Sequence, residues 1–315
     1  MAKKLADIMA ELHQRGTPSP AEKPDGSAEK KVNCSKCQDQ LMINYRVHRD
    51  HRDADWTENP ETGKLVPDPK FMVLESDFLA MKVCGPEEAR NWQRKYSIQC
   101  ECVKTVRINR LMKSSDITDE FKRLGFQNFF TQDKAEIVAD MKECAIDYYK
   151  QFEQIRKDRA NSMALLGQPG SGKTHLMMAI SNNLIVKKGV SVHYFPYVEG
   201  FNDLKEDFEQ IAPKLDRMKK ADVLFIDDLF KPVGRGANRK PRATEWQIEQ
   251  MYAVINYRYL NHLPILVSSE LDVDQLDEVD EALGSRIYEM CQDFTVVIEG
   301  DRRKLNHRLA GLNNV

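Results

Sequence analysis

The sequence predicts an α/β fold for the C-terminal half of the chain, a five-stranded parallel sheet with helices on both faces. A small cysteine-bearing module is predicted to precede it. Three observations support this prediction. From about residue 134, short apolar runs alternate with segments of helical periodicity. A glycine-rich turn separates the first apolar run from the helix that follows it, and two close pairs of cysteines lie before residue 103.

The elements of the α/β region follow from this alternation. Helices are predicted over residues 134–157, 173–187, 198–220, 243–261 and 273–290. Strands are predicted over residues 163–166, 190–195, 223–227, 264–269 and 294–299. Parallel strands need helical crossovers between them, so strands separated by helices indicate a parallel sheet buried on both faces.

Composition divides the chain into four segments. Residues 1–31 are rich in proline, glycine and charge toward their end, and are predicted to be flexible, with a short amphipathic helix over 3–14. Residues 32–105 hold five of the seven cysteines and form the predicted metal module. A helical junction is expected over 106–133, followed by the α/β domain at 134–315.

Charge and cysteine content exclude several classes of protein. Charged residues make up 30% of the chain and the net charge is −2, as in soluble proteins without a global nucleic-acid footprint. The sequence lacks an apolar run of ~18–20 residues and a secretory signal, so we expect a cytoplasmic protein with no membrane association. An odd number of cysteines in such a protein argues against a disulfide framework.

The glycine-rich turn carries a complete phosphate-binding motif, G-x-x-x-x-G-K-S/T, between a predicted strand and a predicted helix. Its glycines allow successive N–H groups to converge on phosphate oxygens, and the helix directs its positive end at the same point. ATP is the predicted ligand: Lys173 would contact its β- and γ-phosphates and Thr174 would bind Mg²⁺. The predicted contacts are Gly167, Gln168, Pro169, Gly170, Ser171, Gly172, Lys173 and Thr174.

A second acidic motif completes the predicted ATP site. The apolar run 223–226 ends in Asp227 and Asp228. In phosphate-loop enzymes an acid at this strand end holds Mg²⁺, and Asp227 fits that role. Asp228 is predicted to polarise the attacking water. The alternative is an acidic turn after a core strand, which is less frequent behind a complete phosphate loop.

Four stretches resemble the DnaC/IstB-like AAA+ ATPases, which include DnaC/DnaI-type helicase loaders and transposon helper ATPases. They are residues 170–181, 225–229, 244–259 and 264–269, within a resemblance that covers most of 120–303. The stretch from Thr244-Glu-Trp to Asn256-Tyr-Arg-Tyr is the most family-specific. The resemblance implies an AAA+ P-loop core without a C-terminal helical lid, with ATP hydrolysis that is weak or partner-dependent.

The resemblance implies two further catalytic residues. Ser268-Ser269-Glu270 stands where the family has a Thr-Ser-Asn sensor of the γ-phosphate, which implies Ser269 as the sensor, with Ser268 as the alternative because Glu270 departs from the pattern. Arg286 stands where the family supplies an arginine finger to a neighbouring subunit, which implies self-association. The alternative for Arg286 is a helix-surface arginine.

Residues 231–242 form a basic insertion with five cations, two glycines and two prolines. Such a loop can contact the phosphates of single-stranded DNA. It contains no aromatic residue for base stacking, and a solvated surface loop is the alternative.

The paired cysteines predict a structural zinc site. Cys34 and Cys37 form a C-x-x-C, Cys100 and Cys102 form a C-x-C, and four thiolates close the tetrahedron that Zn²⁺ prefers. The competing ligands between the pairs are Cys84, His48 and His51. Cys144 and Cys291 are predicted to be packing residues.

The sequence features are compatible with three functions. By resemblance, the zinc module is the element that docks on a replicative hexameric helicase, which the chain would load onto single-stranded DNA during replication initiation. The resemblance favours a phage or Gram-positive loader. A transposition helper would bind duplex DNA and a transposase, and generally lacks such a module. A nucleotide-gated adaptor would bind ATP with little turnover.

Overall fold

The computed structural model divides the chain into two compact units, residues 1–102 and 103–315. It describes residues 33–51, 56–58, 63, 65–80, 82, 87–92, 94–132, 134–234 and 240–306, without the side chains of Arg302 and Arg303. The helix predicted over residues 3–14 and the competing ligand Cys84 lie outside these residues.

The first unit is built on a small antiparallel sheet. Strands β1 (Met42–Val47), β4 (Met72–Leu74) and β5 (Arg94–Gln99) pair in the order β4-β1-β5. A two-stranded ribbon of β2 (Trp56–Glu58) and β3 (Leu65–Pro67) and a short helix, α1 (Glu75–Leu79), complete it. Among its described residues, the buried apolar side chains are Cys37, Val47, Pro67 and Cys100. So small a core requires another source of stability, such as a bound metal.

The second unit contains the predicted five-stranded parallel sheet. Its strands are β6 (Met163–Gly167), β7 (Val192–Pro196), β8 (Val223–Asp227), β9 (Ile265–Ser268) and β10 (Thr295–Ile298). They pair in the order β10-β6-β9-β8-β7. The predicted strand positions are therefore confirmed to within two residues at each end. The order adds what the sequence left open, that β9 lies between β6 and β8.

Both faces of this sheet are buried, as a continuous apolar pattern requires. On β8, Val223 and Phe225 belong to one hydrophobic cluster, and Leu224 and Ile226 to another. Successive side chains of a strand point to opposite faces, so the two clusters fill the two sides of the sheet.

The five helical segments predicted for the α/β region are all present, two of them interrupted, and the structure adds a helix at 102–114 and another at 302–305. They are α2 (Cys102–Ser114), α3 (Glu136–Ile155), α4 (Lys173–Asn183), α5 (Tyr197–Glu206), α6 (Ile211–Lys220), α7 (Glu245–Leu260), α8 (Val273–Val279), α9 (Glu281–Cys291) and α10 (Arg302–Leu305). The segment 198–220 is divided because the Asp207 carboxylate accepts a hydrogen bond from the N–H of Glu209 and turns the chain. Asp280 divides the segment 273–290 by capping α9.

The segment predicted as a helical junction, 106–133, lies within the second unit. Phe121, Leu124 and Phe126 pack against the core cluster that contains α3 and α4. The Asn182 amide donates hydrogen bonds of 2.9 and 2.8 Å to the carbonyl oxygens of Phe121 and Leu124. The segment therefore packs as part of the core of the second unit.

Within the part of the chain that the structure describes, no helix combines the length and the apolar character needed to cross a membrane.

Candidate nucleotide site and metal centre

The phosphate loop connects the carboxyl end of β6 to the first turn of α4. Gly167, Gly170 and Gly172 have φ angles of +95°, +82° and +95°, in the region that favours glycine. A Cβ atom on Gly167 would collide with the carbonyl oxygen of Ile298 on the neighbouring strand β10. The glycines of the motif are therefore required both by backbone conformation and by close packing.

Lys173 is 5% exposed and begins α4. Its Nζ donates hydrogen bonds of 2.8 Å to the carbonyl oxygens of Gly167 and of Gln168. These bonds hold the ammonium group over the loop, beside the positive end of the helix. The arrangement places a fixed cation where phosphate oxygens would meet the loop N–H groups.

The Asp227 carboxylate accepts hydrogen bonds from three hydroxyl groups, one on a helix and two on neighbouring strands. Its Oδ1 accepts hydrogen bonds from Thr174 Oγ1, at 2.9 Å, and from Ser268 Oγ. Its Oδ2 accepts a bond of 3.3 Å from the Tyr194 hydroxyl. Burial raises the pKa of Asp227 above its usual value, since desolvation penalises the carboxylate. A divalent cation beside Thr174 and Asp227 would stabilise the charged form, so these two oxygen ligands fit Mg²⁺.

Asp228 adopts a left-handed conformation, with φ +56°. Its N–H donates to Ser268 Oγ at 2.9 Å, and its Oδ2 accepts a bond of 2.6 Å from Lys231 Nζ. The two consecutive aspartates thus share Ser268 but have different partners, and Asp228 lines the cleft beside the phosphate loop.

Ser269 is fully buried, and its hydroxyl group serves the fold. It donates to the Leu229 carbonyl oxygen at 2.8 Å and accepts from the Leu271 N–H at 3.1 Å. Ser268, the last residue of β9, contacts Asp227 instead, because β9 lies between the strands that carry the phosphate loop and the acid. Of the two serines, Ser268 is therefore the one that contacts Asp227 and Asp228, and a sensor role for either serine stays a prediction.

The cleft above the loop has a volume of about 770 Å³, within the usual range for ligand pockets. Asp227 and Asp228 contribute to its lining, and a further wall comes from the segment 118–130, including Phe129 and Phe130. The His175 Nε2 lies 3.1 Å from both the Gly125 carbonyl oxygen and the Asn128 Oδ1, which attaches this wall to α4. This wall is rich in phenylalanine, a feature of the sequence that does not by itself indicate a cleft.

Arg286 lies on α9 and does not line this cleft. Its Nε donates to Asn256 Oδ1 at 3.0 Å, and its guanidinium lies 5.2 and 5.5 Å from the ring centroids of Tyr252 and Tyr259. The arginine is thus held between aromatic rings on its own chain. An arginine-finger role for Arg286 stays a prediction that requires a second subunit.

The four predicted zinc ligands come together. The Sγ atoms of Cys34, Cys37, Cys100 and Cys102 all lie within 4.8 Å of one another. The Cys34–Cys100 and Cys37–Cys102 sulfur pairs are 3.7 and 3.4 Å apart. A tetrahedral site with Zn–S bonds of about 2.3 Å needs sulfur separations of about 3.8 Å, so the cluster fits Zn²⁺.

The competing histidines have other partners. His51 Nε2 accepts from the Asp68 N–H at 3.3 Å, and His48 Nδ1 lies 3.4 Å from Asp50 Oδ2. Neither belongs to the four-sulfur cluster found among the described residues.

Removing the metal is expected to unfold the first unit, because its apolar core is too small to replace the metal cross-link. We expect about one zinc per purified chain by elemental analysis, and its loss in Cys37→Ser and Cys102→Ser. Circular dichroism should then show a lower unfolding temperature. Cys144→Ser, in α3, is the matched control and should retain the metal. Zinc that survives Cys37→Ser but disappears in Cys84→Ser would contradict this ligand set.

Comparison with known proteins places these features in a family. A family model described as IstB-like ATP binding protein matches residues 107–309. The uncharacterized protein YqaM of Bacillus subtilis is 53% identical over 303 residues, which cover 96% of this chain and 94% of YqaM. The phage-like element PBSX protein XkdC of the same species is 57% identical over 213 residues, covering 68% of this chain and 79% of XkdC. The predicted DnaC/IstB-like family and its phage or Gram-positive type are confirmed.

Solved structures include similar chains. A crystal structure of DnaI is 25% identical with a TM-score of 0.47, covering 60% of this chain and 94% of DnaI. A crystal structure of the DnaC helicase loader is 22% identical with a TM-score of 0.47, covering 58% of this chain and 100% of that chain.

Proposed function

We propose that this chain, which belongs to the family of IstB-like ATP binding proteins, loads a hexameric replicative helicase onto single-stranded DNA in an ATP-dependent manner. The observation that carries the proposal is the pairing of a complete ATP site with a four-cysteine cluster in a separate unit. The loader-type stretch over residues 244–259 and a relative from a phage-like element support it. The proposed place of action is the cytoplasm.

The proposed ATPase chemistry assigns one task to each side chain. Lys173 binds the β- and γ-phosphates, and the phosphate loop orients them through its N–H groups. Thr174 and Asp227 hold Mg²⁺, which neutralises charge on the same phosphates when it is bound. Asp228 orients the attacking water, and Ser268 positions both aspartates. Arg286 would complete the site of a neighbouring subunit.

The proposed partner surfaces are the zinc module and the basic insertion, whose first residue, Lys231, also lines the ATP cleft. The zinc module docks on the helicase, as the resemblance to loaders implies. The basic insertion at 231–242 contacts single-stranded DNA. It is closed at its base by paired hydrogen bonds of 2.8 and 2.9 Å between Val233 and Lys240, and the Tyr197 hydroxyl donates to the Arg242 carbonyl oxygen. The insertion therefore leaves the carboxyl edge of the sheet, close to the ATP cleft.

Light scattering coupled to size exclusion tests the proposal. The full-length chain is mixed with the hexameric replicative helicase of Bacillus subtilis, the species of the two relatives, with and without ATP. We expect a stable complex that Lys173→Ala keeps and that Cys37→Ser loses, with Cys144→Ser as the matched control. The absence of a complex under every nucleotide condition would contradict helicase loading.

A transposition helper is the second candidate. The matching family is described as IstB-like, and the DnaC/IstB-like resemblance includes transposon helper ATPases. Retention of duplex DNA and a transposase, without helicase binding, would favour that function. A nucleotide-gated adaptor predicts that wild type and Lys173→Ala have the same negligible ATP turnover while only wild type binds ATP.

A further inference from the structure

The ATP cleft contains a second lysine that the phosphate-binding motif does not include. Lys231 lines the cleft together with Asp228, and its Nζ lies 2.6 Å from Asp228 Oδ2. The side chains of Lys231 and Asp228 are 45% and 32% exposed, so the pair faces the cleft from a partly buried position. The proposed water-orienting acid is thus neutralised by a cation three residues later in the chain.

This ion pair is built by a fixed turn. Asp228 and Phe230 both adopt left-handed conformations, with φ of +56° and +51°, and the Lys231 N–H donates to the Asp228 carbonyl oxygen at 3.0 Å. Leu229 and Phe230 are fully buried. Left-handed conformations of two non-glycine residues in one turn cost conformational free energy and persist only where the surrounding structure imposes them. The turn is therefore held in this geometry by its packing.

Strand β9 anchors the same turn. The Leu229 N–H donates to the Ser268 carbonyl oxygen at 2.9 Å, and the Ser269 hydroxyl donates to the Leu229 carbonyl oxygen at 2.8 Å. The backbone of Lys231 is therefore positioned by the strand that also supplies Ser268 to Asp227. This accounts for the buried hydroxyl of Ser269, which holds the turn instead of reaching the cleft.

The charges around Lys231 keep it protonated. Burial acts to lower the pKa of Lys231, but the hydrogen bond and charge of Asp228, with the charges of Glu270 and Glu199, raise it above its usual value. A permanently charged ammonium group on a flexible four-carbon stem can exchange one anionic partner for another without movement of the backbone.

We propose that Lys231 is a nucleotide-binding residue that distinguishes ATP from ADP: its ammonium group pairs with Asp228 until a γ-phosphate draws it away. The inference rests on the proposed ATPase function. A γ-phosphate adds negative charge at the end of the cleft where Asp228 lies, whereas ADP leaves the Lys231–Asp228 pair in place. Lys231 then contributes to the binding of ATP and not to that of ADP.

The exchange also prepares Asp228 for hydrolysis. In the reaction, the water oxygen forms a bond to the γ-phosphorus, and the bond from that phosphorus to the bridging oxygen breaks, with its electron pair left on ADP. The water proton passes to the released phosphate. Once the pair is released, the Asp228 carboxylate oxygen can accept a hydrogen bond from the attacking water, so γ-phosphate binding is coupled to the orientation of that water.

Calorimetric binding of Mg-AMPPNP and Mg-ADP to the full-length chain tests this role. Lys231→Met should weaken AMPPNP binding about tenfold and leave ADP binding within about twofold, the effect of one charge-assisted contact. Lys231→Arg should restore most of the AMPPNP affinity. Lys220→Met removes an exposed lysine of α6 and is the matched control for charge. Equal thermal unfolding of the variants establishes that the fold is retained.

A second variant tests the exchange itself. Asp228→Asn frees Lys231 from its partner, and is expected to strengthen AMPPNP binding a few-fold, a gain that the double variant Asp228→Asn/Lys231→Met should abolish. The role of Lys231 is refuted if Lys231→Met changes the affinities for AMPPNP and ADP equally, or changes neither. If Lys173→Ala still prevents nucleotide binding in that case, the ATP site itself is supported. If wild type binds neither nucleotide, the proposed function fails together with the inference.

Discussion

Replacing Lys173 with alanine is expected to weaken ATP binding by at least about 100-fold, because it removes charge-assisted hydrogen bonds to two phosphates, each contributing about 1.5–3 kcal/mol. The structure holds Lys173 Nζ on the carbonyl oxygens of Gly167 and Gln168, so the ammonium group is ordered at the loop by its own chain. Little entropy is lost when phosphates replace or join these carbonyl partners, which makes the contact efficient.

The measurement is titration of Mg-ATP by calorimetry, followed by a phosphate-release assay. Lys187→Ala is the matched control, since Lys187 is an exposed lysine of the π-helical turn that extends α4. It should bind ATP like wild type. An affinity for ATP in Lys173→Ala within about threefold of the wild-type value would place the nucleotide elsewhere.

The ATP site divides into a part that the sequence predicts and a part that it does not. The phosphate loop consists of eight consecutive residues, 167–174, so a short stretch of sequence determines both its chemistry and its geometry. Asp227 and Asp228 follow a recognisable apolar strand. These residues do come together, because the carboxyl ends of parallel strands share one edge of the sheet.

The partners of these residues depend on contacts that no local pattern encodes. Ser268 reaches Asp227 only because β9 inserts between β6 and β8, and Tyr194 reaches it from β7 on the other side. Strand order is set by the packing of helices on both faces, which periodicity does not reveal. The sequence showed Lys231 only as one cation of a basic insertion. The left-handed conformations of Asp228 and Phe230 before it could not be inferred from the residue types.

The family-specific stretch 244–259 illustrates the same limit. Its motif identified the family, but the sequence offered no role for Arg258, since arginine is almost never fully buried without a partner. In the structure Arg258 is 0% exposed and makes five hydrogen bonds to backbone carbonyl oxygens. Burial lowers its pKa to about 9, so it remains charged at neutral pH.

The acceptors of Arg258 explain its burial. They are the carbonyl oxygens of Met218, Lys219, Ala221, Asp222 and Pro264. Two belong to the last turn of α6, where helix carbonyls have no partner within the helix. The others lie at the residues that lead into β8 and β9. One side chain of α7 therefore caps a helix and aligns two strands at the amino edge of the sheet.

Arg258→Met is accordingly expected to lower the free energy of unfolding of the second unit by about 4 kcal/mol, because it leaves buried carbonyl oxygens without donors. Arg258→Lys should cost nearly as much, since an ammonium group has three donors and lacks the planar geometry that reaches both strands and the helix.

Urea unfolding followed by tryptophan fluorescence measures the loss, with Arg123→Met as an exposed control. Because the carbonyl cluster lies at the edge of the sheet opposite the ATP cleft, the folded fraction of Arg258→Lys should bind ATP with wild-type affinity. A loss below about 1 kcal/mol would show that water or a rearranged helix end satisfies these carbonyl groups.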